Sequence, residues 1–357
     1  MAQITGQNNE HARNSLLVRI PEILTSAINQ LYKRQHSKEV EEIGKLIYDM
    51  KRNREMPLFD NSEDCSIEWN NAIQNLKSKA YFDAPWLFSQ CFVFYKLESI
   101  VHHLGIDVFA NEKSKLLEHS IEDYVPFTSS QSVEAQLFQQ LLNSVECSSP
   151  IDHLVINDFD KIWTYLQSVN QGSIHIVLNN VGHEFLSDLV LADFLIEHNF
   201  ASSVVFHVKP YPFFVNNVTL NDVDNAFEHY SQNVKLKDIA MKWTNWRSKF
   251  IFKTNPFWNM PFYYSELQVK APELHLELSN ADVVIFKGDY NYRKLSGDDG
   301  NSDTAKFNLN ISALCIVLRN IKSNTLVGVE STKIKKLTDL DSKWQIHGKY
   351  SVLQCFK

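Results

Sequence analysis

The sequence predicts a protein of the α/β class that is helical up to about residue 150 and is built around a helix-covered sheet beyond it. Two observations lead to this prediction. Before Pro150 the apolar residues recur with helical spacing, and no segment has the pattern of a strand. After it, short β-branched and aromatic runs alternate with helical stretches. With 357 residues, 44% of them hydrophobic and 12% aromatic, the chain can bury a sizeable core.

Helical spacing of apolar residues covers most of the first half. The apolar residues within 43–50 follow an i, i+3, i+4, i+7 stripe, which is typical of a helix with one buried face. The stretch 86–101 is apolar and aromatic throughout, which indicates a helix buried on more than one side. Residues 1–14 are polar and are expected to be frayed. Helices are predicted from Pro21, around 43–50, and over 69–76, 86–101 and 132–145.

The second half alternates between short strands and helices. Strands are predicted over 173–178, 203–208, 250–252, 281–286, 313–318 and 350–353. Helices are predicted over 162–169, 184–197, 220–229 and 272–278, and the stretch 297–303 is expected to be a loop. We therefore expect two domains, a helical domain over 1–150 and an α/β domain over 151–357 that carries the functional site.

Composition argues against nucleic-acid and membrane partners. The formal net charge is −7, and the densest basic run, 333–336, is short. The amino terminus has no apolar signal-like region, and no window reaches the length of a membrane span. The cysteines are odd in number, widely spaced and without a C-x-x-C pair, which favours free thiols in a reducing, cytoplasmic compartment. They are Cys65, Cys91, Cys147, Cys315 and Cys355.

The stretch 174–195 has the pattern of a strand that delivers a polar site to the start of a helix. A β-branched run ends at Asn179 and Asn180, Gly182 follows, and an amphipathic helical pattern begins near Glu184. In open α/β sheets the carboxyl ends of the strands are where ligands bind, and helix N–H groups favour an anion there. Taken alone, the pattern fits either a ligand site or a well-made turn.

Three further polar clusters follow predicted strands. Each cluster alone is typical of a cap or a surface charge, but four clusters at one sheet edge favour a site for an anionic small molecule. Together they offer oxygen ligands for a hard cation beside Lys and Arg donors for a phosphate. The further clusters are His207 to Pro210 with Asn216 and Asn217, then Lys287 to Lys294, then Arg319 to Lys322.

Several sequence strings resemble one known family along nearly the whole chain. They are Asn-x-Gly-x-Glu at 180–184, Val-Lys-Pro-x-Pro-x-Phe-Val at 208–215, Phe-Lys-Gly-Asp-x-Asn-Tyr-Arg-Lys-Leu-x-Gly-Asp at 286–298, Arg-x-x-Lys at 319–322, Gly-Lys-Tyr at 348–350 and Ala-Pro-Trp-Leu-Phe at 84–88. The chain resembles the metal-dependent damage-control phosphatases. Within them it is similar to the subgroup that acts on sugar phosphates, which is also described as acidic-residue (protein-glutamate) carboxyl methyltransferases.

This resemblance implies a fold, a cofactor and a set of site residues. The fold is an amino-terminal helical domain packed on a Rossmann-like, three-layer αβα domain, with one divalent ion, Mn²⁺ or alternatively Ni²⁺, Co²⁺ or Mg²⁺. The implied metal ligands are Asn179, Asn180 and Asn217. Glu184 and Asn217 would border a methyl-donor site. The implied substrate contacts are Asn179, Asn180, Asp289, Tyr290, Asn291, Tyr292, Arg293 and Lys322, with Lys209, Lys294 and Arg319 as further phosphate donors by charge. Asn180, Asp289 and Lys322 are the expected catalytic residues.

The chain departs from the family pattern at two metal positions. Asn179 and Asn217 stand where the family has Asp, and Gln90 stands where it has Glu. Because carboxylate charge holds a hard cation, two such replacements are expected to weaken binding by about 10²–10³-fold or more. The carboxylates available to compensate in part are Asp193, Glu184 and Asp289.

Three functions remain open from the sequence. The first is a metal-dependent phosphatase that hydrolyses sugar phosphates of the fructose 1-phosphate or fructose 6-phosphate type as metabolite damage control. The second is a weak or inactive relative that binds a sugar phosphate or a protein partner through the same pocket. The third is S-adenosylmethionine-dependent methyl transfer to protein glutamates. No glycine-rich G-x-G-x-x-G loop follows a predicted strand, so S-adenosylmethionine is not expected.

Overall fold

The computed structural model describes residues 3–60, 65–122, 131–145, 153–246, 248–302 and 306–357. The predicted domain boundary at residue 150, Cys147 and the end of the 297–303 stretch lie outside these residues. Among the described residues, none of the helices combines the length and apolar character needed to cross a membrane.

The described part of the first half is helical, as predicted, with no named strand before residue 145. The helices are α1 Glu10–Asn14, α2 Ile20–Lys33, α3 Ser37–Lys51, α4 Ser66–Gln74, α5 Trp86–Val101, α6 Ala110–Glu122 and α7 Val133–Asn143, with a π-helical turn, Ser15–Arg19, between α1 and α2. The predicted bounds of α5 are confirmed, and most of its residues are buried all around the helix.

The prediction that residues 1–14 are frayed is wrong for the described residues. Ile4 is 6% exposed, and its carbonyl accepts a hydrogen bond from the backbone N–H of Trp86 at 2.8 Å. The side chain of Asn9 caps α1 by accepting from the N–H of Ala12. One buried apolar residue and a capped helix therefore hold this polar segment against α5.

The second half forms a seven-stranded sheet, which confirms the α/β prediction. Its strands are β1 Leu154–Asn157, β2 Gly172–Val177, β3 Ala201–Val208, β4 Phe250–Thr254, β5 Val283–Lys287, β7 Leu314–Asn320 and β9 Ser351–Phe356. The order is β1-β9-β7-β5-β2-β3-β4, and only the β7–β9 pairing is antiparallel. Two short strands, β6 Asn301–Ser302 and β8 Leu326–Val327, pair separately. The sequence prediction missed β1, β6 and β8.

Helices flank the sheet on both faces because side chains alternate along each strand. Val177, Phe286 and Val317 face an apolar cluster that includes α2, α3 and α5. Ile176 and Ile285 face a second cluster that includes α9. The remaining helices are α8 Phe159–Leu166, α9 His183–Glu197, α10 Leu220–Gln232, α11 Lys237–Asn245, α12 Leu267–Lys270, α13 Pro272–Ser279, α14 Gly288–Ser296 and α15 Ser331–Leu340.

Candidate active site

A cavity of about 590 Å³ lies where β2, β5 and β7 end, beneath residues from the first half of the chain. Each of the four polar clusters contributes to its wall. From the second half these are Asn179, Asn180, Glu184, Asn216, Asn217, Gly288, Asp289, Tyr290, Arg293, Asn320 and Lys322. From the first half they include His11, Ser15, Arg19, Glu22, Ser26, Trp86, Gln90 and Glu112. The strand ends therefore bring the four polar clusters together at one cavity, as the topology argument predicts.

The first-half lining residues escaped the sequence prediction. Ser15, Arg19, Glu22 and Ser26 are spaced by four, three and four residues, so they lie on one side of the helical stretch. They alternate with the apolar stripe that faces the core. The sequence signal that could have identified these residues is a polar stripe at helical spacing beside the apolar stripe.

The three amides predicted as metal ligands lie together and bind one another. The side-chain amide of Asn217 donates to the Oδ1 atoms of both Asn180, at 3.2 Å, and Asn179, at 3.4 Å. Backbone hydrogen bonds from Val181 to the carbonyl of Asn216 and from Val218 to the carbonyl of Asn179 hold the two chain segments in this register. The NH₂ group of Asn217 thus contacts the same two oxygens that a shared cation would contact.

Glu184 accepts hydrogen bonds from this amide cluster, and its negative charge is balanced by a buried lysine. Its Oε2 accepts from the Asn179 side chain at 3.1 Å and from the Asn180 backbone at 3.3 Å. Lys287, which is fully buried, lies 3.4 Å from Glu184 and 2.6 Å from Asp188, and it also donates to Ser144. Burial alone would lower the pKa of Lys287, but the charges of Asp188 and Glu184 raise it, so the ammonium persists.

Close packing at the start of α14 fixes the position of Asn179. Gly288 has φ +82°, and a Cβ atom at this position would lie 2.4 Å from the Cγ of Asn179. Only glycine allows both the left-handed backbone and this approach. The Lys-Gly-Asp sequence therefore brings β5 directly against the amide cluster.

Two consecutive residues before the amide at 217 have a strained backbone. Phe214 has φ +46° and Val215 has φ +70°, and both line the cavity. Such a conformation is an outlier for a β-branched residue, at about 1–3 kcal/mol for each strained position. Strain of this kind clusters at ligand sites, which supports a functional role for this wall.

Asp289 is held in place by Arg319, which does not itself reach the cavity. The Arg319 guanidinium is fully buried, lies 2.7 Å from Asp289 and stacks 4.0 Å from the Tyr292 ring. It also donates to the backbone carbonyl of Ser323 at 3.0 Å. The expectation of direct phosphate contact therefore has no geometric support for Arg319, since its donors are used behind the wall. Burial would raise the pKa of Asp289, but the charges of Arg319 and Arg293 outweigh it and lower the pKa.

Asn291 and Tyr292 are likewise turned away from the cavity, although the resemblance implied substrate contacts for both. Asn291 donates to the carbonyl of Lys287 at 2.8 Å and accepts from the Tyr264 hydroxyl at 3.0 Å. The Tyr292 hydroxyl accepts from the backbone N–H of Val327 at 2.9 Å. On helix α14 only one side can face the cavity, and Asp289, Tyr290 and Arg293 occupy it.

Arg293 lines the cavity with its charge already paired. It makes a two-pronged contact with Asp298, at 2.8 and 2.7 Å, and donates to Gln90 at 2.7 Å. Its guanidinium also stacks 3.7 Å from the Trp86 ring centroid. Gln90, which stands where the family has Glu, therefore accepts from this arginine without adding a negative charge.

Asp193 does not compensate for the missing carboxylates. It lies on α9 and pairs with Lys242 at 2.7 Å, and it is not part of the cavity wall. The 15-residue helix starts at the site, but position 193 is almost three turns along it.

Lys209 and Lys294 are buried beneath the cavity wall. The Nζ of Lys209 has no hydrogen-bond partner among the described residues and lies 5.1 Å from the Tyr290 ring centroid. Lys294 donates to the carbonyls of Phe257 and Met260 at 2.9 and 3.2 Å. Burial lowers the pKa of each ammonium to about 7. Neither side chain lines the cavity, so the predicted phosphate contacts of both lack geometric support.

The variant Lys209→Met should be more stable than the natural chain near neutral pH. An ordinary lysine titrates near pH 10.4, so between pH 7 and 10 the unfolded chain binds more protons than the folded one. The cost of burying Lys209 is therefore largest below pH 7 and fades as the pH rises toward 10. We expect a gain of about 2–4 kcal/mol in the free energy of unfolding at pH 6–7 that shrinks by pH 9.5, measured by urea unfolding. The exposed variant Lys38→Met is the control; equal stabilities of natural chain and Lys209→Met at every pH would contradict the prediction.

The fold and the cavity define an α/β protein with a polar cavity at the carboxyl edge of a mostly parallel sheet. The sequence model of the damage-control phosphatase ARMT1-like domain matches residues 127–337, and the chain belongs to this family. Members of the family are metal-dependent and act on small phosphorylated metabolites.

Known relatives resemble the chain over almost its full length. Damage-control phosphatase ARMT1 of Xenopus laevis is 28% identical over 94% of both chains. The protein of the same name from Homo sapiens is 25% identical over 99% of this chain and 98% of its own. The crystal structure of a DUF89 family protein from Pyrococcus horikoshii aligns with a TM-score of 0.49 and 16% identity, over 94% of this chain and 98% of that one.

The residues of the amide cluster do not fit the divalent ion that the family implies. Asn179, Asn180 and Asn217 offer neutral oxygens, and two of these already accept from the NH₂ group of Asn217. The nearby carboxylate of Glu184 is paired with Lys287. A hard cation would gain no uncompensated negative charge here and would have to turn the Asn217 amide around.

Proposed function

We propose that the cavity binds a small sugar phosphate and that metal-dependent hydrolysis is weak or absent in this chain. The three implied metal ligands, Asn179, Asn180 and Asn217, are clustered neutral amides, and this is the observation that carries the proposal. The family's chemistry needs a metal, and here a side-chain NH₂ group binds the oxygens that would hold it. Binding of a phosphorylated ligand does not need that ion, because the cavity wall contains cationic side chains.

Cationic side chains in the cavity wall can donate to an anion. Lys322, Arg19 and Arg293 all line it. Asp289 and Glu184 also line it, but each is paired with a buried cation, Arg319 or Lys287, that lies behind the wall. Their negative charge is therefore largely compensated, and the wall also contains Lys322 and Arg19 beside Glu22 and Glu112. Charge-assisted hydrogen bonds of this kind suit a phosphate.

The wall also offers groups for a sugar. The Oδ1 of Asn217 is buried without a partner among the described residues, so it can accept from a ligand hydroxyl. Asn216 and Asn320 supply further amides, and the Trp86 and Tyr290 rings supply apolar surface. A cavity of about 590 Å³ is large enough for a hexose phosphate.

The test combines ligand binding and turnover. The purified chain is heated with fructose 1-phosphate, fructose 6-phosphate or inorganic phosphate, and phosphate release is followed with Mn²⁺ and with EDTA. We expect a sugar phosphate to raise the melting temperature by the same amount with Mn²⁺ and with EDTA, and little phosphate release under either condition. Mn²⁺-dependent turnover would show a working phosphatase and overturn the loss of hydrolysis.

A matched pair of variants tests the binding site. Lys322→Gln should weaken sugar-phosphate binding by about 10-fold or more, because it removes a charged donor from the cavity. Lys343→Gln, at an exposed position outside the cavity wall, should leave binding unchanged. Equal affinity of the natural chain and Lys322→Gln would place the ligand elsewhere.

A further inference from the structure

We propose that His175, His207 and Glu277 form a second ligand site, a binding site for a transition-metal ion such as Zn²⁺. None of the three residues lines the cavity. One ligand atom from each lies within 4.8 Å of the other two. The site is therefore distinct from the amide cluster and does not depend on the function proposed for the cavity.

The sheet register places both imidazoles on one face. His175 lies on β2 and His207 on β3, and His207 pairs with Val177, two residues after His175. Since side chains two residues apart point the same way, both rings project from the same side of the sheet. Helix α13 covers that side and contributes Glu277.

The two imidazoles are close to the spacing that a metal ion needs. The Nδ1 of His175 lies 2.9 Å from the Nε2 of His207, with the ring centroids 5.1 Å apart. Two nitrogens bound tetrahedrally at 2.0–2.1 Å from zinc are about 3.3 Å apart. The spacing of the two nitrogens is therefore within a few tenths of an ångström of that in a zinc site.

The hydrogen bonds of the pair allow both nitrogens to act as ligands. The other nitrogen of His175, Nε2, lies 3.3 Å from the Ser173 hydroxyl, which can accept its proton. This arrangement leaves the lone pair of His175 Nδ1 available. His207 then needs only to carry its proton on Nδ1 for its Nε2 to bind the metal, so both rings stay neutral.

The donor set is typical of zinc. Two neutral imidazoles and one carboxylate leave a fourth position open, as in catalytic zinc sites. In contrast to the amide cluster, this set includes a carboxylate that can reach the ion.

Glu277 lies at the partly exposed side of the site, where an ion could enter, and its ion pair with Lys253 competes with metal binding. Its side chain is 30% exposed, whereas His175 and His207 are buried. The Nζ of Lys253 lies 2.8 Å from Glu277, and this ammonium, 48% exposed, can swing away into solvent. Lys253 should therefore oppose metal binding while Glu277 supports it.

Opposite effects of two surface variants give the sharpest test. The full-length, chelator-treated chain is titrated with Co²⁺, followed by its visible absorption, and with Zn²⁺ by calorimetry. We expect one equivalent to bind, Glu277→Gln to weaken the affinity by at least about 10-fold, and Lys253→Met to strengthen it by about 2- to 5-fold. A folding defect could not produce both signs, and circular dichroism verifies that each variant is folded.

Two further variants separate this site from others. His207→Gln should abolish the Co²⁺ absorption, whereas His102→Gln combined with His103→Gln should leave it unchanged. The latter pair is exposed and interacts with Glu98 and Glu39, so it controls for surface histidines. Absence of stoichiometric binding in the natural chain, or binding that is unaffected by Glu277→Gln and His207→Gln, would overturn the proposal.

Discussion

Replacing Asn179 and Asn217 together with aspartate should create a Mn²⁺ site and Mn²⁺-dependent phosphatase activity. The change removes the NH₂ group that binds the Asn179 and Asn180 oxygens and adds two carboxylates beside Glu184. Without metal the clustered negative charges should lower the melting temperature, and Mn²⁺ should restore it. We expect Mn²⁺ affinity to rise by about 10²–10³-fold, measured by titration, with phosphate release from fructose 1-phosphate as the second readout.

Two controls separate ligand charge from general effects. Asn216→Asp adds one negative charge to the same cavity wall outside the hydrogen-bonded cluster, and it should bind Mn²⁺ no better than the natural chain. The double change to alanine removes the cluster without adding charge and should also be insensitive to Mn²⁺. If the double aspartate variant behaves like these controls, the missing carboxylates are not what prevents metal binding.

Replacing Lys287 with methionine should have the largest effect on stability. The change leaves Glu184 and Asp188 buried without their shared cation, and Ser144 without its donor. Removing one partner of a buried ion pair costs about 3–5 kcal/mol. We expect a loss of that size in the free energy of unfolding, measured in urea at pH 7. The loss should be smaller at pH 5, where protonation of the carboxylates relieves the unpaired charge.

The matched control for this change is Lys242→Met. Lys242 also joins two carboxylates, Asp193 and Glu197, but its side chain is 28% exposed and Glu197 is 52% exposed. Because water screens exposed pairs, we expect a loss of about 1 kcal/mol or less. Similar losses in the two variants would mean that Lys287 does not act as the buried counter-ion of the site.

The chain order of polar clusters was enough to predict that they meet at one cavity. Parallel strands end at one edge of a sheet, so Asn179, Asn217, Asp289 and Lys322 could be assigned to one place before any contact was known. The bounds of α5 followed from its continuous apolar and aromatic residues. These features depend on local sequence and on a general rule of topology.

Side-chain direction could not be predicted in the same way. Arg319 and Lys209 follow predicted strands as Lys322 does, yet both are buried behind the cavity wall. The spacing of residues predicts which face of a strand a side chain projects from. Whether that side chain then lines the cavity or is buried by ion pairs and packing depends on residues far apart in the chain. The positive φ angle of Val215 also depends on such contacts. It could not be predicted from the sequence, because β-branched residues rarely adopt this conformation.

The amino-terminal segment has a thermodynamic consequence for the cavity. Residues 3–19 supply His11, Ser15 and Arg19 to its wall, and backbone hydrogen bonds of Ile4 to Trp86 and Asp298 hold the segment down. Any ligand that touches these side chains must therefore favour the docked segment over the released one. The two equilibria, ligand binding and docking of the segment, are thermodynamically linked. A change that favours release of the segment therefore weakens ligand binding, and the ligand stabilises the docked segment by the same coupling free energy. Ligand binding in the cavity should therefore reduce local unfolding of the first helices.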